Sequence, residues 1–173
     1  MLKSNVQEEI LRCGTEPTYF IEKYGKIQHP KKGLVTFKMY DFQKTLLNDF
    51  IRNRFNIVNK ARQLGISTLI AAYCAWLIMF HRDKNILIVA TKIDTAKNIV
   101  TKVKVILKYL PKDLYLAKIT TDNKCSVELS NGSKIQATST SRDAGRSEAV
   151  SLLIVDEAAH VEGLEELWMG LLP

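Results

Sequence analysis

The sequence has 173 residues, of which 46% are hydrophobic and 25% are charged. This balance excludes a disordered chain and is typical of one globular domain with a sizeable core. The net charge of +7 favours a polyanionic partner such as nucleic acid, although an ordinary basic surface would explain the same charge. The three scattered cysteines predict no disulfide framework. The longest apolar stretch, Leu69 to Phe80, is too short to span a bilayer, so no membrane partner is expected.

Residues 1–40 are predicted to form a helical and loop-like lead-in to the core at 41–173. Ser4 and Gln7 have the spacing of a capping box, which predicts a helix to about Arg12. Pro17 then begins a second helical piece. The stretch 25–38 is basic and loop-like, with a short strand expected around 34–37.

An amphipathic helix is predicted from Asp41, which is a suitable N-cap. Phe42 and Gln43 stand at its beginning. An aromatic ring can stack on a purine, and a glutamine amide can pair with an adenine edge through one donor and one acceptor. A core aromatic beside a surface glutamine is the other interpretation of this pair.

The stretch from Asn59 to Thr68 has the pattern of a phosphate-binding loop. An apolar run at 55–58 predicts a strand before it, and 69–80 predicts a helix after it. Gly65 and Ser67 fit the standard pattern, but Ile66 stands in place of the lysine and Lys60 in place of the first glycine. Lys60, or failing that Arg62, would then supply the phosphate cation. An ordinary strand-to-helix turn is the alternative.

Local patterns predict the elements that follow. A buried strand is expected at 85–90, a helix with a basic outer face at 94–109, and a β-hairpin at 125–139 with a type I′ turn at Asn131-Gly132. A polar loop with Arg142 and Arg146 precedes an apolar strand that ends in Asp156 and Glu157.

These parts together predict ATP hydrolysis. Backbone N–H groups from Gln63 to Ser67 would hold the phosphates. Ser67 and Asp156 offer hard oxygen ligands for Mg²⁺, and Glu157 would activate the attacking water. The expected fold is α/β, a P-loop NTPase of the additional-strand, catalytic-glutamate type with a largely parallel central sheet flanked by helices. The residues expected to line the nucleotide site are Phe42, Gln43, Lys60, Ala61, Arg62, Gln63, Leu64, Gly65, Ile66, Ser67 and Thr68.

At this point the chain resembles the ATPase domain of the large terminase subunit of tailed bacteriophages. The matching stretches are Tyr40 to Lys44, Lys60 to Thr68, Gly145 to Ser147, and Leu152 to Glu157. The resemblance implies that Phe42 and Gln43 contact adenine and that Arg62 touches the phosphates. It also implies that Arg146 reaches a neighbouring subunit's nucleotide as an arginine finger.

The same resemblance implies ATP and Mg²⁺ as ligands, and double-stranded DNA, a portal protein and a small terminase subunit as partners. It further implies a homo-oligomeric ring that acts in the host cytoplasm during phage assembly and is absent from the mature virion. Such subunits also carry a nuclease domain and a later strand between the P-loop strand and the Walker B strand. Neither has a counterpart here, so we expect a fragment or split product in which the two strands pair directly or another segment fills the gap.

Two other functions stay open from the sequence. Asp156 to His160 superficially resembles a helicase box, although His160 is one residue late and the helicase loop keeps its lysine at position 66. A nucleotide-binding module without turnover is the second alternative, since Ile66 replaces that lysine.

Overall fold

The computed structural model of the protein describes residues 2–138 and 149–171. Within these ranges, the helices are α1 (Leu2–Thr15), α2 (Pro17–Tyr24), α3 (Asp41–Arg52), α4 (Ile66–Phe80), α5 (Ile93–Lys108) and α6 (Leu164–Leu171). The strands are β1 (Lys26–His29), β2 (Gly33–Thr36), β3 (Asn85–Ala90), β4 (Ile119–Asp122), β5 (Ser126–Leu129), β6 (Lys134–Thr138) and β7 (Leu152–Asp156).

Five of the strands form a mixed sheet in the order β4-β5-β6-β3-β7. Strand β3 runs parallel to β6 and to β7, with Ile88 opposite Ala137 and Ile154. The β4-β5 and β5-β6 pairs are antiparallel. The α/β class is therefore confirmed, but the expectation of a largely parallel sheet was wrong. The hairpin joins the sheet through β6, so half of the strand pairings are antiparallel.

Strand β3, between β6 and β7, is buried on both faces, which explains its uninterrupted apolar sequence. Ile86 and Ile88 belong to the main core together with residues of α4 and α5. On the opposite face, Leu87 and Val89 pack in a smaller cluster with Leu167 of α6. The sheet thus carries helices on both faces. The loops that follow the parallel strands β3 and β7 lie together at the carboxyl ends of these strands.

Residues before position 41 share this main core. The ring of Phe20 meets that of Phe80 edge to face, with centroids 5.1 Å apart. The indole N–H of Trp76 donates a hydrogen bond of 2.9 Å to the backbone carbonyl of Cys13. Helices α1 and α2 therefore pack against α4, the helix that follows the predicted phosphate-binding loop.

The predicted β-hairpin is present, but its turn is not of type I′. Gly132 has a φ of 82°, whereas Asn131 is not among the described residues with positive φ, and a type I′ turn needs positive φ at both. The N–H of Gly132 donates to the carbonyl of Leu129, so Gly132 follows the turn as a left-handed residue. Asn131 instead uses its side-chain amide to bond the carbonyls of Ile78 and His81 at the end of α4.

The strand predicted at 55–58 is absent from the described structure. These residues lie outside any strand, and the side chain of Ile57 is fully exposed. Phe55 packs on Trp168, with ring centroids 5.7 Å apart. Strand β7 is the last strand of the sheet and bonds only β3 among the described residues, so it has no hydrogen bonds to this run. The two strands therefore do not pair directly.

A polar cluster centred on Glu9 joins α1 to α2. The Glu9 carboxylate accepts hydrogen bonds from the hydroxyls of Tyr19 and Tyr24 and from the ammonium of Lys23, at 2.8 to 3.1 Å. Burial alone would raise the pKa of Glu9, but the donors from Tyr24, Lys23 and Tyr19 together lower it to about 2. The cluster therefore favours the folded state whenever Glu9 is ionised.

Replacing Glu9 with glutamine should lower the free energy of unfolding at pH 7 by about 1–2 kcal/mol, because charged hydrogen bonds are lost from a partly exposed site. The folded-state pKa of about 2 lies below the ordinary 4.5. The stabilisation is thus complete above pH 4.5 and is lost as the pH falls toward 2. Chemical unfolding between pH 2 and 7 checks this, with exposed Glu8→Gln as the control. An equal loss in both variants at every pH would contradict it.

Candidate functional site

The loop before α4 contains two residues in left-handed backbone conformations. The φ of Gln63 is 65° and that of Gly65 is 71°. Glycine adopts this conformation at no steric cost, whereas glutamine does so only where the surroundings hold it. Gly65 is the N-cap of α4 and provides no capping side chain, so the loop opens onto the unpaired N–H groups of the first helical turn. Loop amides beside a helix N-terminus form a setting that suits an anion.

Ser67, in the first turn of α4, lies beside the end of β7. Its hydroxyl donates to Oδ2 of Asp156 over 3.4 Å, although the two residues are 89 positions apart in the chain. Asp156 is only 7% exposed, and its Oδ1 accepts the N–H of Glu157 at 3.1 Å. The parallel pairing of β3 and β7 places Asp156 opposite Ala90, at the carboxyl edge of the sheet. The loop and the strand end therefore meet as the sequence predicted.

The predicted phosphate cations differ in their surroundings. The ammonium of Lys60 lies 3.9 Å from Oδ1 of Asp156, so this side chain already points into the space between the loop and β7. Arg62 is exposed and forms no ion pair among the described residues. Ile66, at the position of the usual lysine, is buried at 4% exposure. A cation at position 66 would lose its hydration in that environment, whereas Lys60 keeps access to water.

Glu157 follows Asp156 in a left-handed conformation, with φ of 56° and ψ of 42°. It begins a short 3-10 turn at Ala158–His160. A non-glycine residue in this region costs about 1–2 kcal/mol, so the fold holds Glu157 there against its preference. Glu157 is exposed while the preceding Asp156 is buried. The two adjacent carboxylates therefore lie in different environments.

Residues at the start of α3 lie beside the same loop. The rings of Tyr40 and Phe42 are stacked, with centroids 5.7 Å apart and an interplanar angle of 9°, and both are exposed. Gln43 is 1% exposed, and its side-chain amide donates to the carbonyl of Leu64 at 2.9 Å. The aromatic pair and the loop are thus joined through Gln43.

A protein-family model matches residues 57–169, which is more than half of the chain. The family is described as "Terminase large subunit, T4likevirus-type, N-terminal". The chain belongs to this family. The match includes both the loop before α4 and the end of β7, so the residues that meet in the structure lie within the matched segment. The matched segment is accordingly the N-terminal part of a phage terminase large subunit, and the protein has a role in phage DNA packaging.

Arg146, with Gly145 and Ser147, lies outside the described residues, so its role as an arginine finger stays a prediction. Lys102 belongs to the basic outer face predicted for the helix at 94–109, but it is half-buried. Burial lowers the pKa of Lys102, while the nearby charge of Asp156 acts in the opposite direction. The spacing of lysines along α5 gave no sign that this one lies near Asp156.

Among the described residues of the terminase, no helix combines the length and the apolar character that crossing a membrane requires. The same residues contain no group of three or more His, Cys, Asp or Glu side chains that could hold a metal ion. A magnesium ion bound with nucleotide needs no such group, because one or two protein oxygens and the phosphates complete its coordination. Ser67 and Asp156 match that requirement.

Proposed function

We propose that this terminase binds ATP with Mg²⁺ between the loop at 59–68 and the end of β7, and hydrolyses it to drive double-stranded DNA into the prohead. The observation that carries the proposal is the 3.4 Å approach of the Ser67 hydroxyl to the Asp156 carboxylate. A hydroxyl from the loop and a carboxylate from a strand end are the protein ligands that nucleotide-bound magnesium takes in P-loop sites. An ordinary strand-to-helix turn would not require the buried Asp156 to face it.

The donor set fits Mg²⁺ in its chemistry. Both side chains offer oxygen atoms, which this ion prefers. In the structure Asp156 accepts from the Ser67 hydroxyl and lies near the Lys60 ammonium, so donors already compensate its buried charge. When bound, Mg²⁺ would neutralise charge on the β- and γ-phosphate oxygens. Ser67 and Asp156 would hold it at the mouth of the loop.

The phosphates would be held by backbone N–H groups from Gln63 to Ser67 and by a lysine from the start of the loop. Lys60 is the first choice for this cation, because its ammonium already lies between the loop and the end of β7. Arg62 is the second choice, since its exposed side chain is long enough to turn toward the same phosphates. Arg146 would act on the nucleotide of a neighbouring subunit in an assembled ring.

Hydrolysis would use the second carboxylate. Glu157 would orient the attacking water and accept its proton as the water oxygen bonds to the γ-phosphorus and the bond to ADP breaks. The exposed position of Glu157, next to a buried Asp156, supports this division of roles. The adenine ring would stack on Phe42 near Gln43, and the exposed stacked pair with Tyr40 supports an aromatic platform there.

The partners follow from the family and from charge. Double-stranded DNA suits a chain of net charge +7, and the packaging role implies a portal protein and a small terminase subunit. We propose that the chain works as part of a homo-oligomeric ring on the portal, in the host cytoplasm.

Phosphate release from ATP, measured with and without Mg²⁺ and with and without linear double-stranded DNA, tests this function. We expect release that requires Mg²⁺. Separation of the strands of a DNA duplex would favour the helicase alternative instead. Nucleotide binding without phosphate release would favour a non-hydrolysing module, a candidate supported by the buried Ile66 and by the unpaired run at 55–58.

A further inference from the structure

Gln43 is buried at the start of α3 with both ends of its side-chain amide bonded. Its Oε1 accepts the backbone N–H of Tyr40 at 3.0 Å. Its Nε2 donates to the carbonyl of Leu64 at 2.9 Å, 21 residues further along the chain. The side chain therefore bridges the first turn of α3 and the loop before α4. At 1% exposure, it offers almost no surface to a ligand.

The loop backbone lies directly against this amide. A Cβ added to Gly65 would stand 2.9 Å from Nε2 of Gln43, closer than real Cβ contacts come. Gly65 also has a φ of 71°, which disfavours any side chain. Gln43 thus contacts the loop at the point where it turns into α4.

Within the part of the chain that the structure describes, residues 59–65 have few other attachments. Among the described residues, the bond from Gln43 to Leu64 is the hydrogen bond that joins this stretch to an element other than α4. The Lys60–Asp156 ion pair is the other connection, at 3.9 Å and with Lys60 partly exposed. The left-handed Gln63 lies between these two attachments. The conformation of the loop therefore depends strongly on the donor that Gln43 provides.

We propose that Gln43 is a positioning residue for the phosphate-binding loop, acting through the Leu64 carbonyl and not by reading the base. This rests on the proposed function, since it assumes that the loop binds phosphates. A base-reading glutamine and a loop-positioning glutamine differ in one consequence. The first affects only adenine nucleotides, whereas the second affects every ligand that places a triphosphate in the loop.

Inorganic tripolyphosphate separates the two roles, because it has no base. Binding of tripolyphosphate, ATP and GTP, each with Mg²⁺, would be measured by calorimetry for the unsubstituted chain, Gln43→Met and Gln43→Glu. Methionine keeps the volume and removes both bonds, while an ionised glutamate can still accept from Tyr40 but cannot donate to Leu64. We expect both variants to weaken the binding of all three ligands by about three- to tenfold, because both lose the buried hydrogen bond to Leu64. Exposed Asn48→Ala, on the same helix, should change none of them.

Loss of ATP affinity with tripolyphosphate affinity intact would overturn the positioning role. Two further measurements test the positioning role. The first needs no nucleotide, and the second needs no substitution. Hydrogen exchange of the Thr68 and Leu69 amides, which donate to the Gly65 carbonyl, should be faster in Gln43→Met than in Asn48→Ala, and equal rates would also overturn the proposal. In the unsubstituted chain, nuclear Overhauser contacts from the Gln43 amide protons should reach Leu64 or Gly65, and contacts to adenine protons of bound ATP would contradict it. Absence of binding by any triphosphate, with the exchange difference intact, would instead remove the proposed function.

Discussion

Replacing Glu157 with glutamine is expected to leave ATP binding unchanged while slowing ATP turnover by about 10²–10⁴-fold, because the change removes the proposed general base and little else. Glutamine has nearly the same size and tolerates the same exposed position. The buried Asp156 beside it keeps its bond to the Ser67 hydroxyl, so the binding site for the nucleotide stays assembled. Single-turnover phosphate release, together with equilibrium binding of ATP, measures the two effects separately.

The matched control is Glu162→Gln, which removes an exposed carboxylate a few residues further along the same segment. It should leave both binding and turnover unchanged. Weakened ATP binding with normal residual turnover in Glu157→Gln would show that Glu157 acts on the ground state of the complex, and would contradict its assignment to the water.

Replacing Lys60 with alanine is expected to cost more activity than replacing Arg62. The Lys60 ammonium is 3.9 Å from the Asp156 carboxylate, between the loop and β7, whereas Arg62 is exposed and has no described ion pair. Loss of a cation that stabilises the transferring phosphoryl group lowers turnover by about a hundredfold or more. We therefore expect Lys60→Ala to reduce phosphate release by about that factor and Arg62→Ala by less.

The reverse ranking would move the catalytic cation to Arg62. Lys60→Arg provides the control for charge, since it keeps a cation at position 60 but changes its shape. Partial recovery in Lys60→Arg is expected if the position matters through its charge. Circular dichroism of each variant should match that of the unsubstituted chain, because the Lys60 side chain is partly exposed and contributes little to stability.

Local patterns predicted most of the elements that the structure contains. The buried strand at 85–90 has the predicted bounds, and the helix expected at 94–109 is Ile93–Lys108. Strands β1 and β4 were not predicted, because each contains a single apolar residue, Ile27 or Ile119, and so shows no alternating pattern. The prediction of a type I′ turn was wrong because of a contact outside the hairpin. Asn131 bonds the end of α4 with its side chain, and no local pattern contains that contact.

The run at 55–58 was predicted to be a strand but does not form one. Its apolar residues have strand propensity, but a strand exists only when a neighbour supplies hydrogen bonds. The outer edge of β7 has no partner among the described residues, and Ile57 remains exposed. We expect that a strand from another segment or chain is needed to join this run to the sheet. Propensity alone does not supply that neighbour.

The candidate site divides in the same way. The meeting of Ser67 and Asp156 was predicted on the assumption that the loop and Asp156 both follow strands of one sheet. In the structure they meet although no strand precedes the loop among the described residues. The attachment of Gln43 to Leu64 and the burial of Lys102 near Asp156 were not predictable. Both depend on how α3 and α5 pack against the sheet, which residue spacing along a single helix does not determine.

The most direct test of the central claim is the dependence of ATP affinity on Mg²⁺, measured by calorimetry in the unsubstituted chain and in Asp156→Asn. Asp113→Asn, an exposed carboxylate in the turn after α5, is the control. If Ser67 and Asp156 hold one ion beside the phosphates, Mg²⁺ should strengthen ATP binding in the unsubstituted chain and in Asp113→Asn, and should have little effect in Asp156→Asn. An equal strengthening by Mg²⁺ in all three proteins would contradict the claim.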